Sequence, residues 1–203
     1  MAWSRRRWLG RVALLAGSVE CIAIRAATAQ SDETADAAAL LRQRGGGLVV
    51  AFRHALAPGT FDPPGYRLDD CSTQRNLSDE GREQARRIGR WFAERSLVPG
   101  RVRSSAWCRC LETARLAFGR FEPWAPLNSM IGERERQATH AAALRAELAR
   151  LARVAPHGFE VWVTHQVNIT ALAGGSTGSG EAVLLRHDVA RDALVVAATL
   201  RIA

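Results

Sequence analysis

GGGLVVAFRHALAPG, residues 45–59, runs from three glycines through a short apolar segment to Arg53 and His54, and then into a Pro-Gly turn. The apolar run is valine-rich and has no polar alternation, which predicts a central strand covered on both faces. An arginine at the buried end of such a strand is costly unless something anionic pairs with it. A second run of the same kind, FEVWVTH at 159–165, ends on His165. In open α/β sheets ligands bind beyond the carboxyl ends of the strands, so His54 and His165 are expected to face one crevice.

From Gln30 onward the patterns follow the order helix, strand, long loop, helix, strand, helix, strand, helix, strand, helix, strand, strand. This alternation predicts an α/β fold, a three-layer α/β/α sandwich around a mostly parallel central sheet. In NLSDEGREQARRIGRWFAERS, residues 76–96, Ser78 reads as an N-cap and Asp79 and Glu80 as first-turn acids. Ala85, Ile88 and Phe92 form the buried stripe of that helix. RVRSSA, 101–106, is a short strand leading into a helix over WCRCLETARLAFG, with Leu111, Ala114 and Phe118 on one face. AAALRAELARLARV, 141–154, is a third amphipathic helix, and VNITALAGG, 167–175, a short fourth ending on glycine. AVLLRH and ALVVAATLRI form an antiparallel pair, because the DVARD connection is too short for a crossover. Residues 56–76 form one long polar loop.

The N-terminus has a basic start, MAWSRRRWLGR, then the apolar VALLAGSVECIAI, then RAATAQ. That apolar stretch is shorter than the ~20 residues of a membrane span, and Ala27 and Ala29 occupy the small-residue positions of a cleavage site. The expectation is a signal peptide over 1–29 and one domain over 30–203, periplasmic or secreted, with no stable membrane insertion after cleavage. SRRRWLG, 4–10, resembles the twin-arginine motif; the general secretory route and an uncleaved anchor are the alternatives. The net charge of +8 suggests nucleic acid, but Arg5, Arg6, Arg7, Arg11 and Arg25 against Glu20 supply half of it. Every basic residue is Arg, and segments such as DEGREQARR interleave the charges as on a solvated helix face. No nucleic-acid partner is expected. Of the four cysteines, Cys21 falls in the signal; Cys71 can pair with Cys108 or Cys110 in an oxidising compartment. A C-x-C with no second pair is poor zinc evidence.

Arg109 falls in the first turn of the helix after RVRSSA, at the same sheet edge as Arg53. Two forked guanidiniums and two imidazoles converging on one point make a cradle for a tetrahedral oxyanion, and phosphate fits it. Arg75 and Asn76, just before a helix, are candidate substrate contacts, whereas Arg103 is read as lying behind the cradle or on the surface. His140, His157 and His187 read as structural, Trp107, Trp124 and Trp162 as core, and Cys108 and Cys110 as structural rather than nucleophilic.

Four segments, FRHALAPG, NLSDEGREQAR, VRSSAWCRCLETA and VTHQ, resemble in order the motifs of the histidine phosphatase superfamily, phosphoglycerate-mutase-like branch. The R-H-G motif falls on Arg53, His54 and Ala55, and L-[ST]-x-x-G-x-x-Q-A on Leu77, Ser78, Gly81, Gln84 and Ala85. S-S-x-x-x-R-[AC]-x-x-T-A falls on Ser104, Ser105, Arg109, Thr113 and Ala114, and T-H on Thr164 and His165. The resemblance implies a phosphatase that needs no metal or other cofactor. In it His54 attacks phosphorus, while Arg53, Arg109 and His165 hold the equatorial oxygens. His54 must then present an unprotonated nitrogen, its other N–H held by a backbone carbonyl in the following loop. Two departures stand out. Ala55 replaces the usual Gly, and PLNS puts Ser129 where an L-x-E acid often lies. Glu133, Glu135, Asp69 and Asp70 are the remaining proton-donor candidates, and Ser129 argues against a mutase. The 57–76 loop resembles exported bacterial members, including those linked to lipopolysaccharide sugar phosphates, so the expected substrate is a small-molecule or cell-envelope phosphomonoester. The rival readings are a non-catalytic phosphate or phospho-ligand binder on the same fold, and a redox or metal protein built on the cysteines.

Overall fold

The computed structural model describes residues 34–43, 47–129, 131, 133–154 and 158–202. The expected signal segment, Gly45, Gly46 and His157 therefore lie outside the described residues. Helix α1 covers 34–42. Strand β1 (Leu48–Arg53) is followed by the long loop, α2 (Asp79–Glu94), β2 (Arg101–Ser104), α3 (Cys108–Phe118) and the short β3 (Glu122–Pro123). Then come α4 (Arg134–Val154), β4 (Phe159–Thr164), α5 (Gln166–Ala173), β5 (Ala182–Asp188) and β6 (Ala193–Leu200). The order of helices and strands is the one the sequence predicts.

These strands form one six-stranded sheet in the order β3-β2-β4-β1-β5-β6. β3, β2, β4 and β1 run parallel, and β5 is antiparallel to both β1 and β6. β1 and β4 lie in the middle, in register from Leu48 opposite Phe159 to Arg53 opposite Thr164. This is why both are apolar over most of their length, Glu160 apart: a side chain on either face is covered by a helix.

Val50 and Phe52 of β1 with Val161 and Val163 of β4 pack against Leu41, Ile88, Trp91, Phe92, Cys110 and Ala114, so α1, α2 and α3 cover one face. Val49, Ala51 and Trp162 turn the other way, onto Leu144, Leu148 and Leu151 of α4 and Ile169 and Leu172 of α5. The result is the expected three-layer sandwich. Two local details differ. In α3 the buried stripe includes Cys110, Thr113 and Ala114, while Leu111 is only half-buried. α4 begins two turns before the expected start, because Glu135 sits in its first turn and nothing from Arg134 to His140 breaks a helix.

Candidate active site

The R-H pair ends β1 and the T-H pair ends β4, so the parallel register carries both imidazoles to the same edge of the sheet, 5.5 Å apart between ring centroids. A cavity of about 420 Å³ opens there, lined by Arg53, His54, Asp62, Arg75, Trp107, Arg109, Ser129, Glu133 and His165, among others.

The second motif explains itself through the loop that follows His54. Ser78 caps α2 by accepting from the Gly81 N–H, and its own N–H donates to the Leu56 carbonyl. A Cβ on Gly81 would lie 2.0 Å from that carbonyl oxygen, so only glycine lets α2 approach. One turn on, Gln84 accepts from the Leu56 N–H and donates to the Ser179 carbonyl. From the third motif, Thr113 Oγ1 accepts from the Ala55 N–H and donates to the Arg109 carbonyl. The backbone around His54 is therefore held from three sides. Ala55, fully buried in place of glycine, is accommodated there.

His54 Nδ1 lies 2.8 Å from the Ala55 carbonyl, which can only accept. Nδ1 thus carries the hydrogen and Nε2 keeps its lone pair, held in the orientation a nucleophile requires. Burial pushes the His54 pKa down to about 3; the Ala55 carbonyl opposes the shift and Arg109, Arg75 and Arg53 add to it. His165 is oriented by a relay. Ser105 Oγ donates to Asn128 Oδ1 (3.2 Å), which also accepts from the Ala106 N–H, and so receives the N–H of His165 Nε2 at 2.8 Å. Burial, then the positive charge that His54 and the three arginines would present, holds the His165 pKa well below the usual histidine range. Both imidazoles are neutral at pH 7.

Three guanidiniums close the ring. Arg53 Nη1 donates to the Thr177 carbonyl, Arg75 Nη1 to the carbonyls of Ala57 and Gly59, and Arg109 Nη1 to Asp62 Oδ1 at 2.8 Å. In each of the three, the buried Nε–H has no hydrogen-bond partner within the protein. The Nε–H groups of Arg87 and Arg103, away from the cavity, share this state, so what sets the site apart is three guanidiniums lining one cavity beside a single inner carboxylate. What this arrangement can do is bind a multiply charged anion through charge-assisted hydrogen bonds.

Of the residues singled out in the sequence, Arg53, His54, Arg109, His165 and Arg75 come together on the cavity. Asn76 does not line it; its amide donates to the carbonyls of Cys71 and Gln74, which fix the turn before α2. Among the proton-donor candidates only Glu133 reaches the cavity wall, exposed at the mouth and paired with Arg136 at 3.0 Å. Asp70 caps the short helical turn at Cys71–Thr73, bonded to Ser72 and Arg67, and Asp69 pairs with Arg67. Glu135 is exposed on α4. Arg103 is buried, not superficial, in an ion pair with Glu147 and Glu160 away from the cavity. Trp162 and Trp124 pack as expected of core and core margin; Trp107 is buried in the core as expected and also lines the site.

Asp62 is the residue that sequence reasoning missed. Against the burial that would raise its pKa, the Arg75 N–H, the Arg109 guanidinium and the Trp107 indole N–H hold its carboxyl below the usual range. An Asp followed by Pro-Pro-Gly reads as a turn residue, and no periodicity in a loop reports which way its carboxylate points.

The cysteines settle as a Cys71–Cys108 disulfide, with Cys110 free and buried. The bond ties the long loop to the first turn of α3, beside Arg109. Gln74 reinforces it, accepting from the Cys108 N–H and donating to the carbonyls of Arg67 and Leu68. Burial raises the Cys110 thiol to about 12, so it is no nucleophile. Among the described residues no group of three or more His, Cys, Asp or Glu side chains could hold a metal ion, and no helix is long and apolar enough to cross a membrane.

No protein-family model matches the sequence, and no curated protein matches it. Solved structures do. The protein histidine phosphatase SixA complexed with tungstate superposes with a TM-score of 0.52 at 15% identity, over 75% of this chain and 96% of that one. The phosphoserine phosphatase of Entamoeba histolytica in complex with 3-phosphoglyceric acid gives 0.57 at 12% identity, over 76% and 96%. A mycobacterial glucosyl-3-phosphoglycerate phosphatase with inorganic phosphate gives 0.54 at 17% identity, over 73% and 94%. The chain has the fold of the histidine phosphatases.

Proposed function

We propose that the chain is a phosphomonoesterase working through a phosphohistidine on His54, and that it is exported. The observation carrying this reading is the cradle: three arginines and two neutral imidazoles around one cavity, with Asp62 as the one carboxylate on its inner wall. Proteins of the same fold have been solved with tungstate, 3-phosphoglyceric acid and inorganic phosphate, all anions of the kind such a cradle would hold.

The chemistry follows from the fixed tautomers. A phosphoryl dianion held by Arg53, Arg75 and Arg109 presents phosphorus to the His54 Nε2 lone pair. As the N–P bond forms and the P–O bond breaks, negative charge stays on the equatorial oxygens, where the guanidiniums stabilise it without reorganising. The dianion also raises the pKa of His165, so that its Nδ1, the nitrogen not engaged by Ser105, takes up a proton and donates to an equatorial oxygen. Water then displaces His54 from phosphorus, its proton passes to solvent, and phosphate leaves. The Cys71–Cys108 disulfide supports export, since such bonds persist in oxidising compartments, and the signal-like pattern of residues 1–29 agrees.

The test is hydrolysis of p-nitrophenyl phosphate by the full chain, with a chelator present, beside the His54→Ala variant. Turnover lost in the variant upholds the reading. Tight phosphate binding with no turnover by either protein would instead make the chain a phosphate-binding protein.

A further inference from the structure

Two features of the cavity point at the other half of the substrate. The first is a row of rings. His54 and His165 have centroids 5.5 Å apart, His165 and Trp107 5.4 Å, and Trp107 and Tyr66 5.9 Å. The first three rings are buried, and Tyr66 is 41% exposed at the rim. The row thus leads from the reacting centre to solvent. Phe61 and Ile131, 72% and 62% exposed, line the same mouth. Large apolar side chains left in water around a polar cradle mark a place where an apolar group docks.

The second feature is the absence, among the described lining residues, of a carboxyl suited to protonating a leaving group. Such a donor needs an apolar wall that keeps it neutral. Asp62 instead faces Arg109 at 2.8 Å and accepts the N–H groups of Arg75 and Trp107, and Glu133 is exposed beside Arg136. Ser129 cannot serve as an acid.

We propose that the site takes aryl phosphomonoesters, esters whose leaving group is a planar aromatic ring bearing the bridging oxygen; this rests on the phosphatase reading above. The ring lies along Trp107 and Tyr66 with Phe61 over it, by offset or edge contacts. His54 Nε2 forms the bond to phosphorus while the bond to the bridging oxygen breaks. The phenolate departs with the electron pair, stable enough without a proton to leave, and takes its proton from solvent afterwards. Water then cleaves the N–P bond and releases phosphate. An alkoxide lacks that stability, and a missing donor is worth about 100- to 10,000-fold.

The experiment compares kcat/KM of the full chain on phenyl and naphthyl phosphates with that on glycerol 2-phosphate and glucose 6-phosphate, then repeats the naphthyl series with Phe61→Ala and Tyr66→Ala. The expected result is an aryl preference of at least about 100-fold. Each rim variant should raise KM for naphthyl phosphate about tenfold and leave the inhibition constant of inorganic phosphate where it was. That constant also reports folding of the loop, so a collapsed variant would be recognised, and Tyr66→Phe should restore the wild-type KM. Sugar or glycerol phosphates turned over as fast as aryl esters, or rim variants without effect on KM, would overturn the proposal while leaving the phosphatase reading intact. Failure on every ester would overturn both. Asp62→Asn separates the roles further: an equal loss on aryl and alkyl esters marks a positioning residue. A loss confined to alkyl esters would make Asp62 the donor and overturn the argument.

Discussion

Arg103 and Arg109 are equally buried, at 4% exposure each, yet they sit in opposite kinds of surroundings. Arg103 meets two carboxylates, Glu147 Oε1 at 2.6 Å and Glu160 Oε2 at 3.3 Å, and stacks 4.5 Å over Trp124. Arg109 meets one, Asp62, in a cavity that it shares with Arg53 and Arg75. The first cluster is neutralised by its own chain. The second sets three guanidiniums against one inner carboxylate, two positive charges more than its inner wall can answer. Burial of a charge is thus no mark of function by itself; a deficit of counter-charge at one cavity is.

Substitutions should break this comparison in opposite directions. The largest effect falls on the nucleophile: His54→Ala should lower kcat about 10,000-fold or more while phosphate still binds, read by steady-state kinetics and calorimetry. Arg109→Ala should lower kcat about 100- to 1,000-fold, the loss typical of removing one preorganised donor. Arg103→Met should leave kcat on an aryl phosphate at the wild-type level. It should nonetheless lower stability by about 3–5 kcal/mol in urea unfolding, because Glu160 would remain buried without its ion-pair partner, while Glu147 keeps Arg150. Cys71→Ser, opening a bridge that spans 37 residues, should cost about 4 kcal/mol by the chain-entropy account.

The smallest effect is on pH dependence. Both imidazoles are harder to protonate folded than unfolded, where the value is 6.5. The unfolded chain therefore binds more protons as pH falls below about 6.5. The stability these groups contribute is complete above that pH and is lost on acidification, for His54 down to about 3. The slope approaches about 1.4 kcal/mol per pH unit for each group, and His54→Ala should remove its share between pH 6 and 4. Phosphate reverses the sign by raising both pKa values, so its binding below pH 7 should take up protons, measurable by calorimetry in buffers of different ionisation enthalpy.

How far the sequence reaches follows the same division. The layers were legible because β1 and β4 are apolar on both faces and the helices carry single stripes. The cradle was legible because strand ends and first turns have fixed directions: Arg53, His54, Arg109 and His165 could point nowhere else. The long loop has no such rule. Its path is set by the disulfide, by Gln74 and by the Asp62–Arg109 pair, all contacts distant in sequence. Hence Asp70 and Asn76, close to the site along the chain, turn out to fasten the loop, while Asp62 and Trp107 face the cavity. Likewise Glu133, just before α4, lies at the mouth, and Glu135, two residues on, in solvent.

One measurement tests the central claim most directly: rapid acid or alkali quenching of the full chain during turnover of a ³²P-labelled aryl phosphate. The account predicts label on the protein that survives alkali, is lost in acid and is absent from His54→Ala, while Arg103→Met retains it. Turnover with no such label, or label that persists in His54→Ala, would contradict it.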